Sequence, residues 1–226
     1  IAMIAKALRY ATAPESMRWE LYPVPHEKGR AEYGGSYLEE LDWWTKKRQS
    51  DMFNEFKGMA EEIILLKGVY NHNRRVWTSS FPFHFGLYVS IGWLVLLLIG
   101  AGLNLAGIEI SATAGTFGVI LHYVTMASGY VGMILAGLGA FGLLIWRLSD
   151  PVQRKYNSPI EYVNLIFFDI VIVVALIHHF AADPGFAAVR SYIASLMTLS
   201  SPGAMSGLLV AEIVLGSLLL MYIPLT

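Results

Sequence analysis

The sequence predicts an all-α fold: a polytopic bundle of transmembrane helices, with four full spans and the end of a fifth at the N-terminus. Three observations predict it. The chain is 55% hydrophobic with only 15% charged residues, where a soluble domain of this size carries about a quarter. From residue 81 onward four apolar stretches follow one another, at about 81–105, 116–146, 160–180 and 204–225. Each is close to or above the roughly 20 residues that cross a hydrocarbon core. Finally, Lys and Arg cluster in alternate connections, as in a chain threaded back and forth through a bilayer.

Taken in order, Ile1 to Leu8 is apolar and runs into Arg9 and Tyr10 without a preceding basic flank. It therefore reads as the end of a membrane helix rather than a secretory signal. The last apolar run stops at Ile223-Pro224-Leu225-Thr226 with no basic anchor, and the protein is expected to continue beyond both ends. Residues 9–80 are polar, with charges of both signs and tryptophan at 19, 43, 44 and 77. Within them Tyr37 to Tyr70 reads mostly as helix, in one or two pieces. Leu41, Trp44, Met52, Phe56, Met59, Ile63 and Leu66 recur there at mostly three- or four-residue steps. Such a segment suits an amphipathic helix on the membrane face, a docking surface for a soluble partner, or both. Residues 81–226 form the membrane region. Asp150-Pro151 and Ser158-Pro159 mark helix ends in its polar turn.

Charge sets the orientation. Lys46, Lys47, Arg48, Lys57, Lys67, Arg74 and Arg75 precede the first full span, and Arg147, Arg154 and Lys155 lie between the second and third. The connection 106–115 has no Lys or Arg, and 181–203 has only Arg190. The positive-inside rule puts 9–80 and 147–159 in the cytoplasm and the other two connections outside. The net charge of −1 says nothing about a nucleic-acid partner, and no basic stripe with interleaved aromatics suggests one. With no cysteine, thiolate zinc sites and cysteine-ligated iron–sulfur clusters are excluded, so a redox centre here must use histidine or belong to a partner.

Ionisable groups in apolar spans are functional candidates by default. His84 sits in Ser-Phe-Pro-Phe-His-Phe-Gly near the cytoplasmic end of its span, with Pro82 expected at the helix start and Gly86 expected to relieve crowding beside a large planar group. His122 lies in the outer half of the next span, on a stripe continuing through Met126, Gly129 and Met133, a pattern that close helix packing also produces. His178 and His179 end the third span on the outer side. Adjacent helical residues diverge by about 100°, so at most one of the two is expected to face the bundle. His122 and the His178/His179 pair share a depth near the outer face, as bis-histidine haem b requires; His84 is at the opposite depth with no histidine to match. Asp169, midway along its span, and Glu212, a third of the way into the last, are candidates for a proton path. Tyr123, Asp183 and Glu212 are outer-side candidates for quinone hydrogen bonding. His26 and His72 read as surface residues.

Several segments carry a resemblance. Arg18-Trp19-Glu20-Leu21-Tyr22-Pro23, Phe81-Pro82-Phe83-His84-Phe85-Gly86-Leu87-Tyr88, Ser158-Pro159-Ile160-Glu161-Tyr162-Val163-Asn164-Leu165 and the final stretch from Glu212-Ile213-Val214-Leu215-Gly216 to Pro224-Leu225-Thr226 resemble the gamma subunit family of respiratory nitrate reductase, five-helix cytochromes b holding two haems. The chain is most similar to the branch in sulfite reductase-linked, heterodisulfide reductase-like and transmembrane cytochrome c complexes of sulfate reducers. The resemblance implies that His84 is an axial ligand of the inner haem b, with a second axial histidine a few residues after Thr226. The family's outer-haem ligands fall on Leu94 and Glu212, neither an imidazole, which leaves His122 with His178 or His179 as a replacement pair on depth alone.

The resemblance further implies a subunit of the bacterial or archaeal cytoplasmic membrane that passes electrons between menaquinone and a cytoplasmic iron–sulfur, heterodisulfide reductase-like partner. One or two haems b would serve it, with a periplasmic multihaem cytochrome c and other membrane subunits as further partners. Two other readings stand beside it: a haem-free quinone-binding or proton-translocating subunit, and a passive membrane anchor. No internal repeat or pair of broken helices suggests a transporter.

Overall fold

The computed structural model describes residues 2–12, 41–45 and 52–223, and falls into two units, Ile1–Arg74 and Arg75–Thr226. Every regular element among the described residues is helical. The segment Arg18 to Pro23 and His26, Tyr37, Lys46, Lys47 and Arg48 lie outside them.

In the first unit, α1 (Ala2–Ala11) extends three residues past the expected end at Leu8, and the Thr12 hydroxyl donates to the Leu8 carbonyl at 2.9 Å. The helix expected between Tyr37 and Tyr70 is in pieces: a 3-10 turn (Trp43–Thr45), α2 (Met52–Leu65) and α3 (Lys67–His72). Leu66 separates α2 from α3 in the left-handed conformation, φ 51°. Glu61 and Glu62 hold that break together: Lys67 donates to Glu61, and the Gly68 amide to Glu62 at 2.9 Å. The Lys67 hydrogen bond draws the Glu61 carboxyl below the usual carboxylate range. Met52, Phe56, Met59 and Ile63 form an exposed apolar face on α2. His72 is exposed, as expected, and donates from Nδ1 to the Gly68 carbonyl at 2.8 Å.

The second unit holds α4 (Arg74–Leu105), α5 (Thr116–Ser149), α6 (Pro151–Tyr156), α7 (Pro159–Ala181), α8 (Ala187–Met197) and α9 (Gly207–Tyr222). Three of these, α4, α5 and α7, are long and apolar enough to cross a membrane. The fourth expected span, α9, has 16 residues. That is about 24 Å at the helical rise, against roughly 30 Å of hydrocarbon. It begins three residues later than expected because Ser206 caps it, accepting from the Leu209 amide at 3.1 Å. The span at 81–105 begins earlier than expected, at Arg74, so Pro82 lies inside α4 rather than at its start. Trp77, Phe81 and Phe85 stack along this entry, with centroids 4.8 and 5.6 Å apart.

The polar turn 147–159 contains α6, capped by Asp150, whose Oδ1 accepts from the Val152 amide at 2.8 Å. Ser158 and Glu161 then form a reciprocal capping box with Pro159 at the first helical position, the arrangement that starts α7. Arg147 donates to the Glu161 carbonyl at 3.1 Å, which ties the end of α5 to the start of α7.

Helix packing reverses the pattern of a water-soluble bundle. Leu138, Phe141, Val173 and Ile177 are exposed, whereas the buried α5 face includes Gly129, Gly132, Ala136, Gly139 and Ala140. Small residues let backbones approach where no hydrophobic effect drives helices together. A Cβ on Gly86 would lie 2.3 Å from the Ala136 nitrogen, and one on Gly139 would lie 2.3 Å from the Phe83 nitrogen. Gly86 therefore serves the α4–α5 contact, not the space beside His84 that the sequence suggested. Gly139→Ala is expected to cost about 1–3 kcal/mol through overpacking. Gly216→Ala, where a Cβ meets nothing within 4 Å, should be neutral or slightly stabilising. Unfolding midpoints in detergent decide this, and equal midpoints would remove the close-packing account.

Candidate functional site

The most concentrated polar cluster among the described residues lies where α7 ends and α9 begins. His178 Nδ1 is 2.6 Å from Glu212 Oε2, and His179 Nε2 is 3.0 Å from Glu212 Oε1. Both imidazoles are buried, at 1% and 0% exposure, and the carboxylate is 13% exposed. The sequence reading allowed at most one of them to face the bundle. The chain after α7 accounts for the second: it turns back through 182–186 and covers the flank of the last helical turn. Phe186, in the left-handed conformation at φ 56°, lays its ring 4.2 Å from that of His179 and 5.1 Å from that of Trp93. Such a conformation for a bulky residue persists only where packing over-determines it, and Phe186 is fully buried.

Asp183 anchors this turn. Its carboxylate accepts from the amides of Ala187, Ala188 and Val189 at 2.7, 3.0 and 3.3 Å, capping α8. An anion is favoured there by the unpaired amides and the helix dipole. The Asp183 carbonyl accepts from His179 Nδ1 at 3.2 Å. With its carboxylate committed to α8, Asp183 is a poor match for the expected quinone contact.

The helix α8 and its Arg190 were not anticipated; the connection 181–203 read as a loop. Arg190 is 2% exposed and donates to the carbonyls of Ile110 and Gly185, both at 3.3 Å. It joins the α4–α5 connection to the α7–α8 turn, and burial pulls its guanidinium below its ordinary value, partly offset by Asp183. The available signal was its isolation as the single cation of 181–203, which contributes nothing to orientation and so needs another role.

His122 is buried against Gly185, where a Cβ would come within 2.8 Å of its Cε1. Its Nδ1 has no hydrogen-bond partner among the described residues. Tyr123 packs edge-on against it, centroids 5.2 Å apart, and is itself 55% exposed. The space beside Gly129 is filled: a Cβ there would meet the Trp93 indole nitrogen and the Phe186 ring, each at 2.7 Å. Asp169 is half-buried in α7, and its Oδ2 has no hydrogen-bond partner among the described residues. Leu94 is exposed.

At the opposite end of α4, His84 is half-buried beside Ser80. Its Nδ1 is 2.8 Å from the Ser80 carbonyl, which can only accept, so Nδ1 carries the proton and Nε2 keeps its lone pair. Phe83 stands edge-on to the ring at 5.2 Å.

These arrangements bear differently on haem b. A histidine that ligates iron characteristically donates its other ring N–H to a carbonyl, and His84 fits one axial position in that way. At the level of His122 this packing commits both ring nitrogens of His179 and leaves His178 Nε2 uncommitted among the described residues. The nitrogens His178 Nδ1 and His179 Nε2 are taken by Glu212, His179 Nδ1 by Asp183, and the space beside Gly129 by Trp93 and Phe186. No family model, curated protein or solved structure matches the chain.

Proposed function

We propose that the protein is a membrane electron-transfer subunit of a quinone-linked respiratory oxidoreductase, with haem b held by His84. The observation that carries this reading is the 2.8 Å contact of His84 Nδ1 with the Ser80 carbonyl, which leaves Nε2, on a half-buried ring near one end of a long apolar helix, without a partner among the described residues. Bound there, haem iron would supply one-electron redox chemistry. Ser80 holds the imidazole in register and Phe83 limits its rotation. On the positive-inside orientation, His84 faces a cytoplasmic iron–sulfur, heterodisulfide reductase-like partner in the cytoplasmic membrane of a bacterium or archaeon. A periplasmic multihaem cytochrome c and further membrane subunits would complete the complex. Menaquinone would be met at the opposite end, where His122 Nδ1 has no partner among the described residues and Tyr123 is exposed. The outer haem is left out of this reading for the packing reasons above.

The test is a pyridine haemochrome assay and a reduced-minus-oxidised spectrum of the purified full-length subunit. Haem b is the expected result, and a colourless, folded protein overturns the reading. A second reading, a haem-free proton-translocating subunit, is favoured by one observation: carboxylates at two depths, Asp169 and Glu212, inside apolar helices. The colourless outcome would promote it.

A further inference from the structure

We infer that His178, His179 and Glu212 form a binding site for one divalent transition-metal ion of the zinc class, held between α7 and α9. The inference does not depend on haem at His84.

One ligand atom from each residue lies within 4.8 Å of the other two. Two imidazole nitrogens and a carboxylate oxygen are a common donor set for such an ion, which binds them at about 2.0–2.2 Å and leaves a further position open. The hydrogen accounting points the same way. His179 Nδ1 faces the Asp183 carbonyl, a pure acceptor, so it carries a proton. In the neutral ring Nε2 is then a lone pair, and it faces Glu212 Oε1 at 3.0 Å. His178 Nδ1 can satisfy Oε2 with its own proton, but the His179–Glu212 contact joins a lone pair to a carboxylate oxygen unless a cation lies between them. Buried as these groups are, that repulsion is screened little.

A single proton can fill this place. A divalent ion fills it while using all three residues. The surroundings suit the ion: the Asp183 carbonyl fixes the His179 tautomer, and the three amides at the start of α8 fix Asp183, the outer support that metal-ligating histidines usually have. The Asp183 carboxylate also comes within 4.0 Å of His179 Nδ1, adding negative charge beside a site that would carry a net positive one.

The step balances without redox change. The ion enters, the His178 proton moves from Nδ1 to Nε2 and frees the Nδ1 lone pair, bonds form to His178 Nδ1, His179 Nε2 and Glu212, and the proton between His179 and Glu212 leaves to solvent. A buried metal cation in an apolar bundle would lock the end of α7 to the start of α9.

The test uses the full-length subunit in detergent, stripped with a chelator, equilibrated with micromolar zinc chloride and dialysed. Zinc is counted per chain by elemental analysis, apart from haem. About one zinc per chain is expected. Glu212→Gln and His179→Ala should weaken zinc binding by about tenfold or more. Glu212→Gln is the variant that keeps the fold, since its amide can accept from His178 and donate to His179. Calorimetry in two buffers of different ionisation enthalpy should show about one proton released per ion bound. Zinc absent from the wild type, zinc equal in wild type and variants, binding without proton release, or loss of haem in place of zinc in Glu212→Gln would each overturn the inference.

Discussion

Replacing His84 with Ala is expected to strip haem b from the purified subunit and reduce quinol-dependent electron transfer to the background of membranes lacking the protein. The ring is half-buried, not a core side chain, so the unfolding midpoint should fall by the equivalent of about 1 kcal/mol. Ser80→Ala provides the contrast. It removes the Ser80 hydroxyl, 3.3 Å from His84 Nδ1, but keeps the backbone carbonyl at 2.8 Å that sets the tautomer. Haem content should therefore survive in Ser80→Ala with at most a modest shift in redox potential. A His84→Ala protein with full haem content would place the ligand elsewhere and remove the basis of the proposed function.

The second large effect is expected at Glu212, and there the sign depends on the substitution. Glu212→Ala leaves His178 Nδ1 and His179 Nε2 without their buried partner. An unsatisfied buried polar group costs about 1–3 kcal/mol, and two are created here. The two rings lose one shared partner and can shift toward each other, so the cost should remain below the sum, at roughly 2–4 kcal/mol. Glu212→Gln keeps an acceptor for His178 and a donor for the His179 lone pair, and should lie within about 1 kcal/mol of the wild type. Unfolding of both variants by denaturant in detergent, with metal removed, separates them. Equal stability of Ala and Gln would mean that Glu212 does not bridge the two histidines.

Much of the helical architecture is legible along the chain. The apolar stretches that became α4, α5 and α7 are continuous, and their breaks carry local signals: Asp150 before Pro151, and Ser158 with Glu161 around Pro159. Those are contacts between residues two to four apart, and a linear reading can see them. Gly129 was visible in a stripe that close helix packing also produces, and Gly86 as room beside His84; only the distances from Gly86 to Ala136 and from Gly139 to Phe83 assign such glycines to backbone contact.

The candidate site was legible in its parts and not in its assembly. His178, His179, Glu212, Asp183 and His122 all stand out in sequence because ionisable groups are costly in an apolar span. Depth along a helix is linear, so His178 and His179 could be placed at one end of their span from residue counting alone. Rotation about the helix axis is linear too, and it forbade both histidines from facing one way. What no counting supplies is the second wall, built when 182–186 folds back over the end of α7 and Phe186 takes up its left-handed conformation. Likewise Arg190 reads as a solitary loop charge until Ile110 and Gly185 bring two distant connections to it. The sequence by itself determined which segments are apolar helices and which groups are costly to bury. Only the tertiary structure decided which of those groups meet, because contacts between residues 33 or 34 apart depend on where the chain turns back.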